Sequence, residues 1–307
     1  MVDRSRLSNS TSPTRTGEAL SRPRRRYTGW RLIVSLYRRD VLGMIGLTIL
    51  MTLAVIGIFV PLISPHPGAY GSASYVNLHP MSYFWFGTDE LGRSIFDQTM
   101  WGIRSSFYVA ALATMISTVL GVFIGLISGY FRGKLGDLFT SLIDIFLTLP
   151  VLPLMILLAS VIPPSRTTVA LVIGLFSWPG TARIVRGEAI RLRESDFVDA
   201  AEAIGCRHPR ILFRHILPNA APPIFINLSF VAGSAILAEA GLSFLGLGDP
   251  TSWSWGTILS HAQASGRFLQ SWWYATFPSL FIALTVIALN FFGQAMTDVL
   301  NPRLRKR

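Results

Sequence analysis

The stretch DAAEAIGCRHPRILFRHILPN, Asp199 to Asn219, separates two long apolar runs, Thr167–Ile184 and Ala220–Ala240. It is polar and basic where its neighbours are almost free of charge. An alanine-rich helical pattern opens it, Gly205 breaks it, and Leu217-Pro218-Asn219 closes it. Such an ordered, amphipathic element between two greasy runs implies a chain that crosses a membrane and presents a docking element on one side.

The apolar runs set the fold class. A bilayer core of roughly 30 Å requires about 20 mostly apolar residues per spanning helix. Six runs approach that length: Val41–Ile63, Phe107–Tyr130, Asp137–Ile162, Thr167–Ile184, Ala220–Ala240 and Thr276–Leu300. Pro150, Pro153 and Pro179 lie in the third and fourth, where neighbouring groups can take up the freed carbonyls. At 51% hydrophobic and 14% charged residues, with mean hydropathy +0.48, the chain is too apolar for an ordinary soluble domain. The expected architecture is an all-α, polytopic membrane protein with six transmembrane helices. Residues 1–40 are expected to be a disordered basic tail, 41–63 the first span and 64–106 an extracytoplasmic loop. Residues 107–300 then form the core transmembrane domain, with the loop 187–219 inside it and a short tail at 301–307.

Charge sets the orientation. Of the 27 Lys and Arg, all but Arg93, Arg104, Arg166 and Arg267 fall on one side when the spans alternate. Basic residues concentrate in cytoplasmic loops, so both termini and the 199–219 segment are expected in the cytoplasm. The RPRRR run at Arg22–Arg26 reads as a topology signal with attraction for anionic lipid, in preference to nucleic-acid binding. The first apolar run exceeds the 7–15 residues of a signal-peptide core, and is read as a retained helix.

Enzyme signatures are absent from the sequence. The nearest approach to a phosphate loop, around Gly133 and Lys134, has Ser128 where the first glycine belongs and Leu135 where Ser or Thr follows the lysine. No His-Glu-x-x-His occurs, and the five histidines are scattered. The single Cys206 can form no intrachain disulfide. No catalytic residue, cofactor or metal is therefore assigned to this chain.

Within the polar segment, Val198, Ala201, Ile204, Ile211, Leu212 and Ile216 recur at helical spacing. Asp199, Glu202, Arg207, Arg210 and Arg214 take the other faces. The pattern predicts two short helices around a turn at Gly205–Pro209, because glycine admits the left-handed conformation that ends a helix and proline suits the first turn of the next. A helix of this kind lays its apolar face into a partner's groove.

On these residues the segment resembles the EAA loop of ABC importer permeases: Glu-Ala-Ala, three residues, Gly, a later Ile, and a His-x-Leu-Pro-Asn close. Asp199, Ala200, Ala201, Gly205, Ile211, His215, Leu217, Pro218 and Asn219 stand at the matching positions, with Asp199 where glutamate is usual. FGTDELGRSIFDQTMWGIRSSF, Phe86 to Phe107, resembles the segment after the first span of the C-type permease of dipeptide and oligopeptide importers. There Ser94 replaces an aspartate, and Asp97-Gln98 replaces Ser-Arg. EAGLSFLGLGDPTSWSWG, Glu239 to Gly256, resembles that family's segment after the fifth span.

The resemblance covers the chain from about Val41 and implies a type I ABC importer permease fold in a bacterial or archaeal inner membrane. It implies that Asp199–Asn219 is a coupling helix seated on an ATP-binding subunit. The implied partners are a homologous permease subunit, two ATP-binding subunits or one fused pair, an extracytoplasmic substrate-binding protein and membrane lipid, with no nucleic acid. ATP and Mg would be bound by the partner subunits and not by this chain. The implied function is the pore of an ATP-driven importer of dipeptides and oligopeptides. Nickel, glutathione or another small solute is the alternative cargo.

Other residues keep two readings. Asp89, Glu90 and Arg93 in the external loop form either a local salt-bridge cluster, the preferred reading, or contacts to a binding protein. Trp253, Trp255, Trp272, Trp273 and Tyr274 read as an interfacial aromatic belt. Asp144 and Glu239, acids within spans, are either translocation-path or structural groups, while Asp298 reads as structural. Asn290 and Gln294, one turn apart, read as hydrogen-bonding between helices. In an ion-gradient-driven secondary transporter, the rival class, the intramembrane acids would be the ion sites.

Overall fold

The computed structural model describes residues 37–38, 40–64, 66–67, 71–266 and 270–300. The expected tails at 1–40 and 301–307 lie outside the described residues, apart from Tyr37, Arg38 and Asp40. Among the described residues the secondary structure is helical, with one isolated β-bridge between Thr88 and Ser94.

Helix α1 spans Val41–Ile63, α2 Ile95–Tyr130, α3 Lys134–Thr148, α4 Val151–Val161 and α5 Arg166–Arg193. Helix α6 spans Asp196–Ala203, α7 His208–Phe244, α8 Trp255–Ala264 and α9 Trp272–Leu300. Five of these (α1, α2, α5, α7 and α9) are long and apolar enough to cross a membrane. The pair α3–α4 supplies a sixth crossing only in broken form, bent by 86°.

That break corrects the expectation of one continuous helix over 137–162. A residue before proline is pushed out of the α region, and Leu149 is extended at φ −73, ψ 143 ahead of Pro150, which begins α4 from its N-cap. Two other boundaries move. Helix α2 starts at Ile95, so residues 95–106 extend a span outward and are not loop. Its N-cap is Ser94, whose hydroxyl accepts from the Asp97 amide at 3.3 Å. Helix α5 likewise runs to Arg193, so the polar segment begins on a continuous helix.

Helices α2 and α5 approach closely along a glycine seam. A Cβ at Gly121 would lie 2.6 Å from the Thr181 Cβ, and one at Gly125 or Gly129 would lie 2.6 Å from the carbonyl oxygens of Ala182 or Arg186. Small residues at four-residue spacing let helix backbones meet in a bilayer, where packing drives association. Helices α1 and α9 meet the same way at Gly46, whose Cβ would lie 2.6 Å from the Ala288 carbonyl oxygen.

Two of the buried clusters lie toward opposite ends of the bundle. At the end that bears the 71–94 loop, called the outer end, Ile95, Ile103, Ile258, Leu242, Trp255 and Trp273 pack between α2, α7, α8 and α9. At the opposite, inner end, Leu126, Tyr130, Val185, Ala189, Ile211 and Ile216 pack the ends of α2 and α5 against α6 and the start of α7.

Candidate functional site

The polar segment folds as predicted up to Gly205 and then departs. Helix α6 ends at Ala203, and Gly205 turns the chain at φ +77. Pro209 occupies the first turn of the next helix. That helix is not a second short element. It continues from His208 into the span α7 through a π-helical stretch at Ile211–Ile216. Pro218 has no N–H for the carbonyl of Arg214, which removes one α-helical bond at the end of this stretch. A π turn here, found in proteins mostly as single turns and often at functional sites, passes over the defect. Asn219 Nδ2 donates to the His215 carbonyl at 2.7 Å, which steadies the same turn.

The predicted coupling residues divide by burial. Ala201 and Ile211 are buried and Leu217 packs against the same inner core, whereas Asp199, Ala200, Gly205, Pro218 and Asn219 are exposed and His215 is half-buried. Ile204 was expected on the buried face, and the structure corrects this. It follows the last residue of α6 and is 81% exposed. Phe197 and Phe213 are also exposed, as are Arg207, Arg210 and Arg214. The end of the bundle therefore presents apolar side chains within a charged rim, in which Asp196, Asp199 and Glu202 stand beside Arg207, Arg210 and Arg214. Exposed apolar groups rimmed by charge mark a protein interaction surface.

Beneath this surface lies a group of polar contacts that sequence periodicity does not reveal. The Tyr130 hydroxyl is 3.2 Å from Glu202 Oε1 and 2.8 Å from His208 Nδ1. Arg193 Nη1 donates to the carbonyls of Gly129 and Tyr130 at 3.0 and 3.2 Å. These bonds join residues far apart in sequence. The visible cue was limited to an aromatic residue ending an apolar run.

In the external cluster, Asp89 and Arg93 form a local salt bridge. Asp89 is fully buried and accepts from the amides of Leu91 and Arg93 at 2.9 and 2.8 Å, from Arg93 Nε at 2.7 Å and from Gln98 Nε2 at 2.8 Å. Glu90 is half-buried beside it. Gln98, one of the departures from the family pattern, thus holds the loop to α2. Arg93 also lies over the Trp253 ring at 4.7 Å. The aromatic belt is corrected in part. Trp255, Trp273 and Tyr274 are buried, and Trp255 Nε1 donates to the Thr99 carbonyl at 3.1 Å. Trp272 alone of this group is largely exposed.

The intramembrane polar residues also separate. Glu239 is buried and accepts from Ser106 Oγ at 3.0 Å and Ser243 Oγ at 2.7 Å, tying α7 to α2. Asp144 is exposed and pairs with Arg183 at 3.2 Å, linking α3 to α5. Asn290 donates to the Val286 carbonyl of its own helix at 3.0 Å, which corrects the interhelical reading, and Gln294 and Asp298 are exposed.

A polytopic helical bundle with a charged, partly apolar face exposed at one end defines the class: a multi-pass membrane protein. Residues 121–306 match the binding-protein-dependent transport system inner membrane component family, and residues 28–80 match the N-terminal transmembrane domain of oligopeptide transport permease C. The chain belongs to that binding-protein-dependent transport family. It is 35% identical to the dipeptide transport system permease protein DppC of Bacillus subtilis (strain 168), over 95% of this chain and 91% of that protein. It is 34% identical to the oligopeptide transport system permease protein OppC of the same organism, over 90% of each. An inward-facing structure of the MetNI methionine ABC transporter shares the fold, with a TM-score of 0.54 at 15% identity, over 65% of this chain and 94% of that one. The protein is a multi-pass inner-membrane permease subunit of the ABC importer type.

Proposed function

We propose that this chain is one half of the pore of an ATP-driven importer of dipeptides and oligopeptides. It pairs with a homologous permease subunit, receives substrate from an extracytoplasmic binding protein and carries both termini in the cytoplasm. Two ATP-binding subunits, or one fused pair, bind ATP and Mg and seat the 199–219 segment. Their closure turns the pore between inward- and outward-facing states. The observation that supports this most is the docking face itself: Ile204, Phe197 and Phe213 stand exposed within a charged rim at the end where the inner ends of α2 and α5 meet. The relatives named for dipeptide and oligopeptide transport support the cargo.

The deciding experiment reconstitutes the whole complex in liposomes and measures uptake of labelled peptides, with nickel and glutathione as competing cargoes. Peptide uptake that needs both ATP and the binding protein is the expected result. Uptake that survives ATP depletion and follows an ion gradient would overturn the reading. Ala201 is buried and Gly205 holds a left-handed turn. Ala201→Arg or Gly205→Arg should therefore abolish uptake while the protein remains inserted.

A further inference from the structure

We infer that Tyr130 is a positioning residue for energy coupling, gripping both halves of the coupling segment and holding them to the α2–α5 pair. This rests on the proposed ATP-driven function and goes beyond it. The EAA-like residues account for docking on a partner, but not for how movement of α6 reaches α2, since the chain joins α6 directly only to α5, through 194–195, and to α7.

The hydrogen-bond chemistry fixes the direction of the chain of contacts. A carboxylate only accepts, so the Tyr130 hydroxyl donates its one proton to Glu202 on α6. Its oxygen then accepts from the N–H of His208 Nδ1, at the first residue of α7. The His208 tautomer is assigned from this network, since the ring nitrogen has no other donor role available toward that oxygen. One buried hydroxyl, at the last residue of α2, therefore bridges the two sides of the Gly205 turn. The Tyr130 ring is 4% exposed and packs edge-on to Phe131 and His208, with centroids 5.1 and 5.6 Å away.

The other side of the grip is rigid. Arg193, at the end of α5, caps the Gly129 and Tyr130 carbonyls, the last of α2. Just above, Gly125 and Gly129 bring the α2 backbone against Ala182, Arg186 and Ala189 of α5. A displacement of α6 pulls on Tyr130, and the seam passes it to two spans moving as one body. Coupling of this kind requires an element with two arrangements that both sites bias. The left-handed hinge at Gly205 and the π turn at 211–216 are where α6 can change angle relative to α7.

The test uses the reconstituted complex and measures two rates on one sample: ATP hydrolysis, and uptake of labelled peptide. Tyr130→Phe keeps the ring and removes both bonds. The expected outcome is a complex that assembles and hydrolyses ATP, with uptake per ATP hydrolysed reduced at least ~5-fold, the lower end of ordinary coupling energies. Glu202→Ala should give the same split, Glu202→Gln, which keeps an acceptor oxygen, should restore most of the ratio, and Tyr130→Phe with Glu202→Ala should be no worse than either alone. A merely structural role would lower assembly and both rates together. If Tyr130→Phe fails to assemble, the exposed Glu202 pair carries the test alone. A wild-type ratio in Tyr130→Phe, or in Glu202→Ala, overturns the inference. Absence of ATP-dependent uptake in the wild-type complex instead overturns the functional proposal.

Discussion

The two ends of the bundle handle polar and apolar groups in opposite ways. At the outer end, demanding side chains are satisfied inside the chain: Asp89 accepts four bonds, Glu239 is held by two serines, and the Trp255 and Trp273 indoles donate to the Thr99 and Thr88 carbonyls. At the inner end, Ile204 is 81% and Phe213 56% exposed, among exposed arginines and acids alike. A buried charge is kept only when paired and hydrogen-bonded, and Asp89, paired with Arg93 and bonded to Gln98, meets that requirement. Exposed apolar groups gain by being covered, and the proposed ATP-binding partner would supply that cover at the inner end.

The largest expected effect tests the scaffold. Asp89→Ala removes the acceptor of the Arg93 guanidinium and the Gln98 amide in a closed site, and breaking such a buried pair costs about 3–5 kcal/mol. Thermal unfolding of the detergent-solubilised protein should show this. A loss below ~1 kcal/mol would mean that the outer loop is held by other contacts, and the contrast between the ends would weaken.

Next in size is the open surface. Ile204→Asp touches nothing inside the chain, so its effect on thermal stability should stay within ~0.5 kcal/mol. If Ile204 is a central anchor, affinity for the ATP-binding subunits should fall by ~2 kcal/mol or more, about 30-fold. Titration of the purified ATP-binding subunit against the permease pair measures it. Unchanged affinity together with unchanged uptake would remove Ile204 from the interface.

A third substitution tests what joins the ends. Gly125→Val drives a branched side chain into the Ala182 carbonyl and the Val185 side chain. Backbone cannot yield cheaply, and overpacking of this kind costs about 1–3 kcal/mol. Unfolding should report that loss, and uptake should fall with it as α2 and α5 separate. Wild-type stability would show that the seam has more slack than the helix spacing indicates.

How much of this was legible in the sequence depends on whether the cause is local. Apolar runs and basic asymmetry are properties of neighbouring residues, and they carried the helical class and the crossings. Gly205 and Pro209 specify a turn by their own backbone preferences, and the turn is where they put it. The misreadings arise where a neighbour in sequence or space decides. Pro150 was read as tolerated inside a span, yet the constraint it places on Leu149 breaks the helix. Ile204 fits the apolar period of α6, but the helix ends one residue earlier, so the period no longer determines its side. Trp255 and Trp273 look the same in sequence as Trp272; their depth is set by the packing of α2, α8 and α9. Tyr130 meets Glu202 and His208 only through tertiary packing, and no spacing rule reports it.

The smallest expected effect concerns Asp249, a partly enclosed acid between α7 and α8. Partial burial pushes the Asp249 carboxyl up, but the Thr251 hydroxyl and amide, at 2.6 and 2.8 Å from Oδ1, and then Arg166 at 3.6 Å, outweigh it and hold the group below the ordinary carboxylate range. A carboxyl depressed in the folded state stabilises the fold fully above its unfolded pKa, near 3.8. That contribution is lost as pH falls from there through the folded value, because the unfolded chain takes up the proton first. Asp249→Asn cannot titrate. The wild-type protein should therefore lose its advantage in unfolding temperature over Asp249→Asn only on the acid side of pH 4, with a constant offset at pH 5–7. Arg166 is half-exposed in this pair, so screening keeps the offset small, and added salt should shrink it further. A difference between wild type and variant that grows instead as pH falls would show that Asp249 is raised in the fold. Burial would then outweigh the Thr251 and Arg166 contacts, and Asp249 would no longer count among the well-bonded acids of the outer end.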